Sequence, residues 1–262
     1  MRKHKILYLI VGAITVLALV VFAYSKEHGA LTHYDNVGDI IESSLRALDK
    51  YDYYLRSADV ITDATADVSF EILNDDYKIS TYKICEGKRD NSYSYSYSSD
   101  TADWIEYISF ENDGWCSYVH DSVSGSYVRC LVDDVDILDT SHIVKDIASG
   151  TLYTEEEIEW DGDKCYIIEQ QYSYDDESFS YERYYISQKS LLLLGSIVMH
   201  YTPTDIPSTA DGNEEGTKIE GVQYKASIVR TTYSYSNESL HLMNKPEEYI
   251  TEEEYKLNKE GN

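Results

Sequence analysis

Proline is almost missing from this chain, with 3 in 262 residues, so a proline-rich disordered build is excluded. Phenylalanine is nearly as scarce, at 4 against 27 tyrosines. Four cysteines occur, Cys85, Cys116, Cys130 and Cys165, and none forms a C-x-x-C pair, which argues against a zinc site. There is no G-x-S-x-G, no H-E-x-x-H and no phosphate-cradling glycine loop. The seven histidines, His4, His28, His33, His120, His142, His200 and His241, are scattered, and none stands two or four residues from another. With 48 Asp and Glu, no general acid/base pair can be singled out by proximity. No enzyme and no cofactor are therefore expected. Positive charge is also short: 22 Lys and Arg leave a net charge of −26. Residues 1–30 contribute +3, so the remainder carries −29. Such a field repels phosphate backbones and anionic membrane surfaces, which excludes nucleic acid as a natural partner.

What is present begins with compartment. "MRKHK" precedes an uncharged apolar run over residues 6–24. A spanning helix needs about 20 such residues. The basic flank keeps the N-terminus in the cytoplasm and sends the rest outside. The rival is a cleavable signal cut after Ala23, following Val21-Phe22-Ala23. Either outcome leaves the domain outside the cell membrane: anchored by a single pass in one case, secreted in the other. No cysteine near residue 24 offers lipid attachment. Three regions are expected: an anchor or signal over 1–30, one extracytoplasmic domain over 31–245, and an acidic tail or short helix over 246–262.

Residues 36–56 have the spacing of an amphipathic helix, with Val37, Ile41, Leu45, Leu48, Tyr51 and Leu55 on one face and Asn36 as cap. From 66 to 131 the period falls to two. "ADVSFEILND", "YKISTYKIC", "DWIEYISFE", "GWCSYVH" and "SYVRCLV" alternate, with turns at Asn-Asp, Glu-Gly and Asn-Asp-Gly. Among them lies "NSYSYSYSSD", a comb that as a strand puts Tyr93, Tyr95 and Tyr97 on one face and serines on the other. A second helix is expected at "LDTSHIVKDIASG", capped by Asp139 or Ser141 and stopped at Gly150. Strands resume at "DKCYIIEQQYSYD", "SFSYERYYISQ", "LLLLGSIVMHY" and "KIEGVQYKASIVRTTYSYS". Helix, about six strands, helix, about four strands form an α+β arrangement: one antiparallel sheet with helices on a single face.

Two local features bear on chemistry. If His120 pairs with Ser126 around a "DSVSG" loop, Cys116 and Cys130 face each other across the ladder within disulfide reach. The alternative is a pair of small strand residues kept reduced. "DGNEEGTKIEGV" places Asp211, Asn213, Glu215 and Gly216 as in a calcium loop, but Val222 stands where a Glu is needed. It reads as an acidic surface loop, and no metal site is expected.

The chain resembles the lipoprotein-carrier superfamily (LolA/LppX-like). The resemblance rests on the helix 36–56 leading straight into strands, on "ISFENDGWCSYVHDSVSGSYVRC", and on "YERYYISQKSLLLLGSIVMHY", where Ser190-Leu191 stands in place of the family's Leu-Pro. It implies a strongly curved antiparallel sheet, a half-barrel with helices on the concave face. It also implies a hydrophobic ligand, a lipid or acyl chain, or a lipoprotein-like cell-envelope partner. In such a fold Tyr93, Tyr95 and Tyr97, Tyr172 and Tyr174, and Tyr233 and Tyr235 are the candidate ligand-binding residues, their hydroxyls keeping a cavity mouth wet. The alternatives stay open: tyrosines that only fill the core or coat the outer face, and an envelope structural or protein-interaction module with a filled core and no small-molecule ligand.

Overall fold

The computed structural model describes residues 34, 36–65, 80–99, 103–112, 114–121, 124–132, 139–153, 158–174, 178–205 and 223–260. The apolar run 6–24, the strand expected at 66–75 and the loop 211–222 lie outside them. Among the described residues no helix is long and apolar enough to cross a membrane.

Helix α1 spans Val37–Leu48. Asn36 is extended and its side chain accepts from the Asp39 N–H at 2.8 Å. The sequence pattern carried this helix on to residue 56, but it ends at Leu48, and Tyr53–Thr65 is strand β1. The Tyr54 hydroxyl donates to the Leu48 carbonyl at 2.9 Å, satisfying one of the acceptors a helix end leaves open. Its ring buries beneath the helix in the same step. Tyr51 and Leu55 fit helical spacing, yet the aromatic run around them favours a pleated, half-buried surface.

The chain continues through β2 (Ser80–Gly87), β3 (Ser92–Ser99), β4 (Asp103–Glu111), β5 (Gly114–Asp121) and β6 (Ser126–Val132). Helix α2 (Thr140–Asp146) is capped by Asp139, whose carboxylate accepts from the His142 N–H at 2.7 Å. It runs through a 3-10 turn to Gly150. Then come β7 (Thr151–Tyr153), β8 (Glu159–Trp160), β9 (Asp163–Ser173), β10 (Phe179–Ser187), β11 (Leu193–Asp205), β12 (Gln223–Ser236), β13 (Ile250–Thr251) and helix α3 (Glu252–Glu260).

The strands form one curved, unclosed sheet in the order β13-β6-β5-β4-β3-β2-β1-β12-β11-β10-β9-β7, with β8 folded back on β9. The described pairings are antiparallel apart from β13 beside β6. β1 and β12 pair along their length and join the halves β1–β6 and β7–β12. Helices α1 and α2 lie on one face. Ile40, Ile41, Ala47 and Leu48 of α1, with Val144 and Ile147, pack on Tyr54, Tyr166, Ile168, Ile186, Leu193 and Tyr233. The opposite face of β9–β12 has its own core of Ile167, Phe179, Tyr185, Ile197, Met199, Tyr201 and Ile228, covered by Trp160 of the β8 hairpin.

The β5–β6 hairpin corrects one expectation. Asp121 pairs with Ser126, so Cys116 faces Leu131 and Cys130 faces Ser117. The loop is one residue shorter than expected. Asp121 organises it, its carboxylate accepting from the Ser124 N–H and its carbonyl from Gly125, which sits at φ +69°. A one-residue shift sends every side chain to the other face. Cys116 is therefore buried on one side, Cys130 half-buried on the other, and all four cysteines are thiols.

Candidate functional site

The comb is strand β3. Its register places Tyr93 beside Glu86 and Ile108, Tyr95 beside Ile84 and Glu106, and Tyr97 beside Tyr82 and Trp104. Following the pairing from Tyr54 through Glu86, these side chains fall on the helix-bearing face. The serines Ser92, Ser94 and Ser96 point the other way. The helices fill only part of this face. Over much of β9–β12 and β1 it is covered by α1 and α2. Over β2–β5 the large side chains stay half-buried or exposed: Tyr82, Tyr93, Tyr95, Tyr97 and Trp115, with Trp104 at 40% and Phe110 at 56% exposure.

These rings form a cross-strand shelf. Tyr97 and Tyr82 have centroids 4.8 Å apart, Tyr82 and Tyr95 6.1 Å, and Tyr95 and Trp104 4.6 Å. A second group follows at Tyr93–Trp115, 5.9 Å, and Trp115–Phe110, 5.3 Å. Spacings of this kind are favourable for offset and edge contacts. The shelf is acidic at two points. Glu106 accepts from Ser117. Glu86 is buried and accepts from the Thr140 N–H at 3.1 Å, tying the shelf to the start of α2. Burial raises the Glu86 carboxyl above its ordinary range, against the lowering hydrogen bond from Thr140. Burial also raises the phenols of Tyr93 and Tyr95, with Glu86 and Tyr82 respectively adding to it, so both stay protonated donors at neutral pH. Among the described residues no cluster of His, Cys, Asp or Glu is arranged to hold a metal ion.

The seven candidate tyrosines do not converge. Tyr93, Tyr95 and Tyr97 belong to the shelf. Tyr233 is buried under the helices, and the Tyr235 hydroxyl donates to the Leu193 carbonyl at 2.6 Å, so both support the core. Tyr172 and Tyr174 are exposed near the far end of β9, where Tyr174 lies 5.5 Å from the His200 ring. Sequence reasoning missed Tyr82, Trp104, Phe110 and Trp115 as shelf residues. The alternation in "DWIEYISFE" did hold the signal, since Trp104, Glu106, Ile108 and Phe110 share one face.

No protein-family model matches the chain, and no curated protein matches it. Among solved structures it is similar to a LolA superfamily protein from Nitrosomonas europaea, with 9% identity over 81% of this chain and 96% of that one and a TM-score of 0.27. It is also similar to a domain from Vibrio parahaemolyticus described as an outer membrane lipoprotein-sorting protein, with 8% identity over 85% and 98% and a TM-score of 0.24. At these scores the likeness carries no argument about function, which is made below from the shelf alone.

Proposed function

We propose that this chain is a non-enzymatic extracytoplasmic protein, held at the membrane by its N-terminal apolar run or released after Ala23, that binds a hydrophobic ligand on the aromatic shelf of β2–β5. The ligand is the acyl part of a lipid or the lipid-bearing part of a lipoprotein-like partner. One observation carries this reading. A single sheet face is covered by helices over most of one half, while the other half presents contiguous, incompletely buried rings. Leaving so much apolar surface wet is unfavourable unless something covers it, and contiguous patches of this kind mark binding sites. The tyrosine hydroxyls and Glu106 let the empty shelf stay hydrated. A flat protein partner is the second reading, favoured because the rings pack against one another across neighbouring strands.

Bromine-labelled acyl lipids distinguish the two. Bromine quenches indole fluorescence at contact, and the chain holds three tryptophans: Trp104 and Trp115 on the shelf, and Trp160 buried on the opposite face. Saturable quenching of the shelf pair is expected, and Tyr95→Ala should weaken it about tenfold, ~1.4 kcal/mol. Tyr233→Ala, in the core, should instead lower stability by about 3–5 kcal/mol. Absence of quenching at any lipid concentration would remove the lipid reading and leave the protein partner.

A further inference from the structure

After β12 the chain crosses the face opposite the helices as a strap over β3–β5, before β13 joins β6. The side chain of His241 in this strap is only 4% exposed. It sits edge-on between the rings of Tyr53 and Tyr107, at 5.5 and 5.4 Å. Gly87 makes the room, since a Cβ there would lie 2.9 Å from the imidazole Nε2. Both ring nitrogens are engaged: Nε2 lies 2.9 Å from Ser92 Oγ and Nδ1 lies 3.1 Å from Ser94 Oγ. Ser92 donates to Asp90 at 2.5 Å, and the Leu242 N–H donates to Ser94 at 2.8 Å.

These contacts fix a direction. Ser92 gives its proton to Asp90, so it accepts from His241 Nε2–H. Ser94 then gives its proton to Nδ1. The run Leu242 N–H, Ser94, His241, Ser92, Asp90 is complete when the imidazole is neutral and carries its proton on Nε2, a tautomer assigned from the network. The group is not a hydrolytic triad: Ser92 is 1% exposed and its proton faces the carboxylate. A second proton on Nδ1 turns that nitrogen into a donor and forces the Ser94 hydroxyl to give up its acceptor. It also places a cation in a slot walled by two rings.

We propose that His241 is a pH-operated clasp: protonation releases the strap around residues 240–243 from β3 and β4 and uncovers the Cys85 thiol and the Tyr107 ring beneath it. The groups facing the imidazole are Asp90 from the β2–β3 turn, Tyr53 from β1, Ser92 and Ser94 from β3 and Tyr107 from β4; Arg89 acts on Tyr53, and Cys85 lies beside Ser94. Among the described residues Asp90, with Oδ2 3.5 Å from Nε2, is the carboxylate paired with the ring. Burial depresses the His241 pKa more than Asp90 raises it, so the docked strap holds its proton less well than the released strap does. Docking is therefore complete above the released value, about 6.5, and weakens as pH falls below it, by up to about tenfold per pH unit until the docked value is reached. The far end is pinned separately: Lys245 Nζ contacts Glu111 at 2.5 Å and lies over the Tyr118 ring.

Cys85 reports the opening. It is fully buried, and its thiol lies against Ser94 and the backbone of Leu240. The test uses the full-length chain, dithiodipyridine, which reacts with thiols in acid, and peptide mass spectrometry, with each rate normalised to the unfolded chain at the same pH. Cys85 labelling should rise severalfold from pH 7.5 to pH 5.5, short of the roughly tenfold ceiling that linkage sets at pH 5.5, while Cys165, beneath the β8 hairpin, stays constant. His241→Gln should abolish the pH dependence, whether its strap rests open or shut. Asp90→Asn, which keeps the hydrogen-bond acceptor but removes the charge, should enlarge the acid response. A flat Cys85 profile in the unaltered chain, or an undiminished rise in His241→Gln, would overturn the clasp. If His241→Gln fails to fold, an Asp90→Asn response equal to or smaller than that of the unaltered chain does so in its place.

Discussion

Two side-chain-sized decisions carry much of this molecule. Gly195 lies under Trp160, and a Cβ there would stand 2.2 Å from the indole ring. The ring is also packed by Tyr185 at 4.7 Å and by the Arg230 guanidinium at 4.9 Å, so it cannot retreat. Gly195→Ala should cost about 1–3 kcal/mol through overpacking, read as a lower urea midpoint with a red-shifted Trp160 emission. An unchanged midpoint would show that the hairpin slides freely over β11. Glu86 makes a different prediction. Its carboxyl is raised mainly by burial, so the folded state holds a proton that the unfolded chain gives up. Its contribution to stability is present below the unfolded value, near 4.3, and is lost as pH rises through the folded value. Glu86→Gln keeps an acceptor for the Thr140 N–H and removes the charge. It should be more stable than the parent at pH 7 and no more stable at pH 4. An advantage of equal size at both values would place the cause in packing, not ionisation.

At the scale of elements, α2 is short enough that its cap matters. Asp139 accepts from the His142 N–H and from the Ser141 hydroxyl, each at 2.7 Å, and the helix buries Val144 and the following Ile147 completely. Asp139→Ala should cost about 1 kcal/mol of global stability, measured by denaturant unfolding, while Asp139→Asn should recover most of it. This cap was legible in the sequence, as were the comb on one strand face, the α+β class and the N-cap of α1. What escaped has common causes. Helical spacing ran on through Tyr51 and Leu55 because four-residue recurrence also arises by chance in an aromatic strand, and the contact that ends α1, Tyr54 to the Leu48 carbonyl, is tertiary. The β5–β6 register slipped by one because turn residues alone did not decide between a four- and a five-residue loop. The partners of the comb, Tyr82 and Trp104, depend on that kind of register across three strands. The strap has no periodicity at all; its attachment depends on Gly87 being small 154 positions before His241.

At the scale of the whole molecule, an open sheet holds together a chain of 48 acidic and 22 basic residues. Like charges spread over both faces repel, and the compact state concentrates them. Some are locally compensated: Arg183 pairs with Glu169 at 2.5 Å, and Glu111 is contacted by Lys245, Tyr118 and Arg129. Burial works against the Glu111 charge, but the hydrogen bonds from Lys245 and Tyr118 outweigh it and bring the carboxyl down to about 2. That attachment is therefore fully present above the unfolded carboxylate range and is lost progressively as pH falls from there through about 2, below the window in which His241 begins to respond. The uncompensated majority predicts the salt response. Raising ionic strength from 0.01 to 0.15 M shortens the screening length from about 30 to about 8 Å, which removes most long-range repulsion while leaving short ion pairs largely intact. Thermal stability should rise with sodium chloride over that range, each kcal/mol recovered appearing as about 2–4 °C in Tm for a chain of this size. Choline chloride should act equally well, since screening does not depend on which cation supplies it. A fall in Tm would mean that the ion pairs outweigh the net charge, and a rise confined to one cation would mean that the ion binds at a site and does not merely screen.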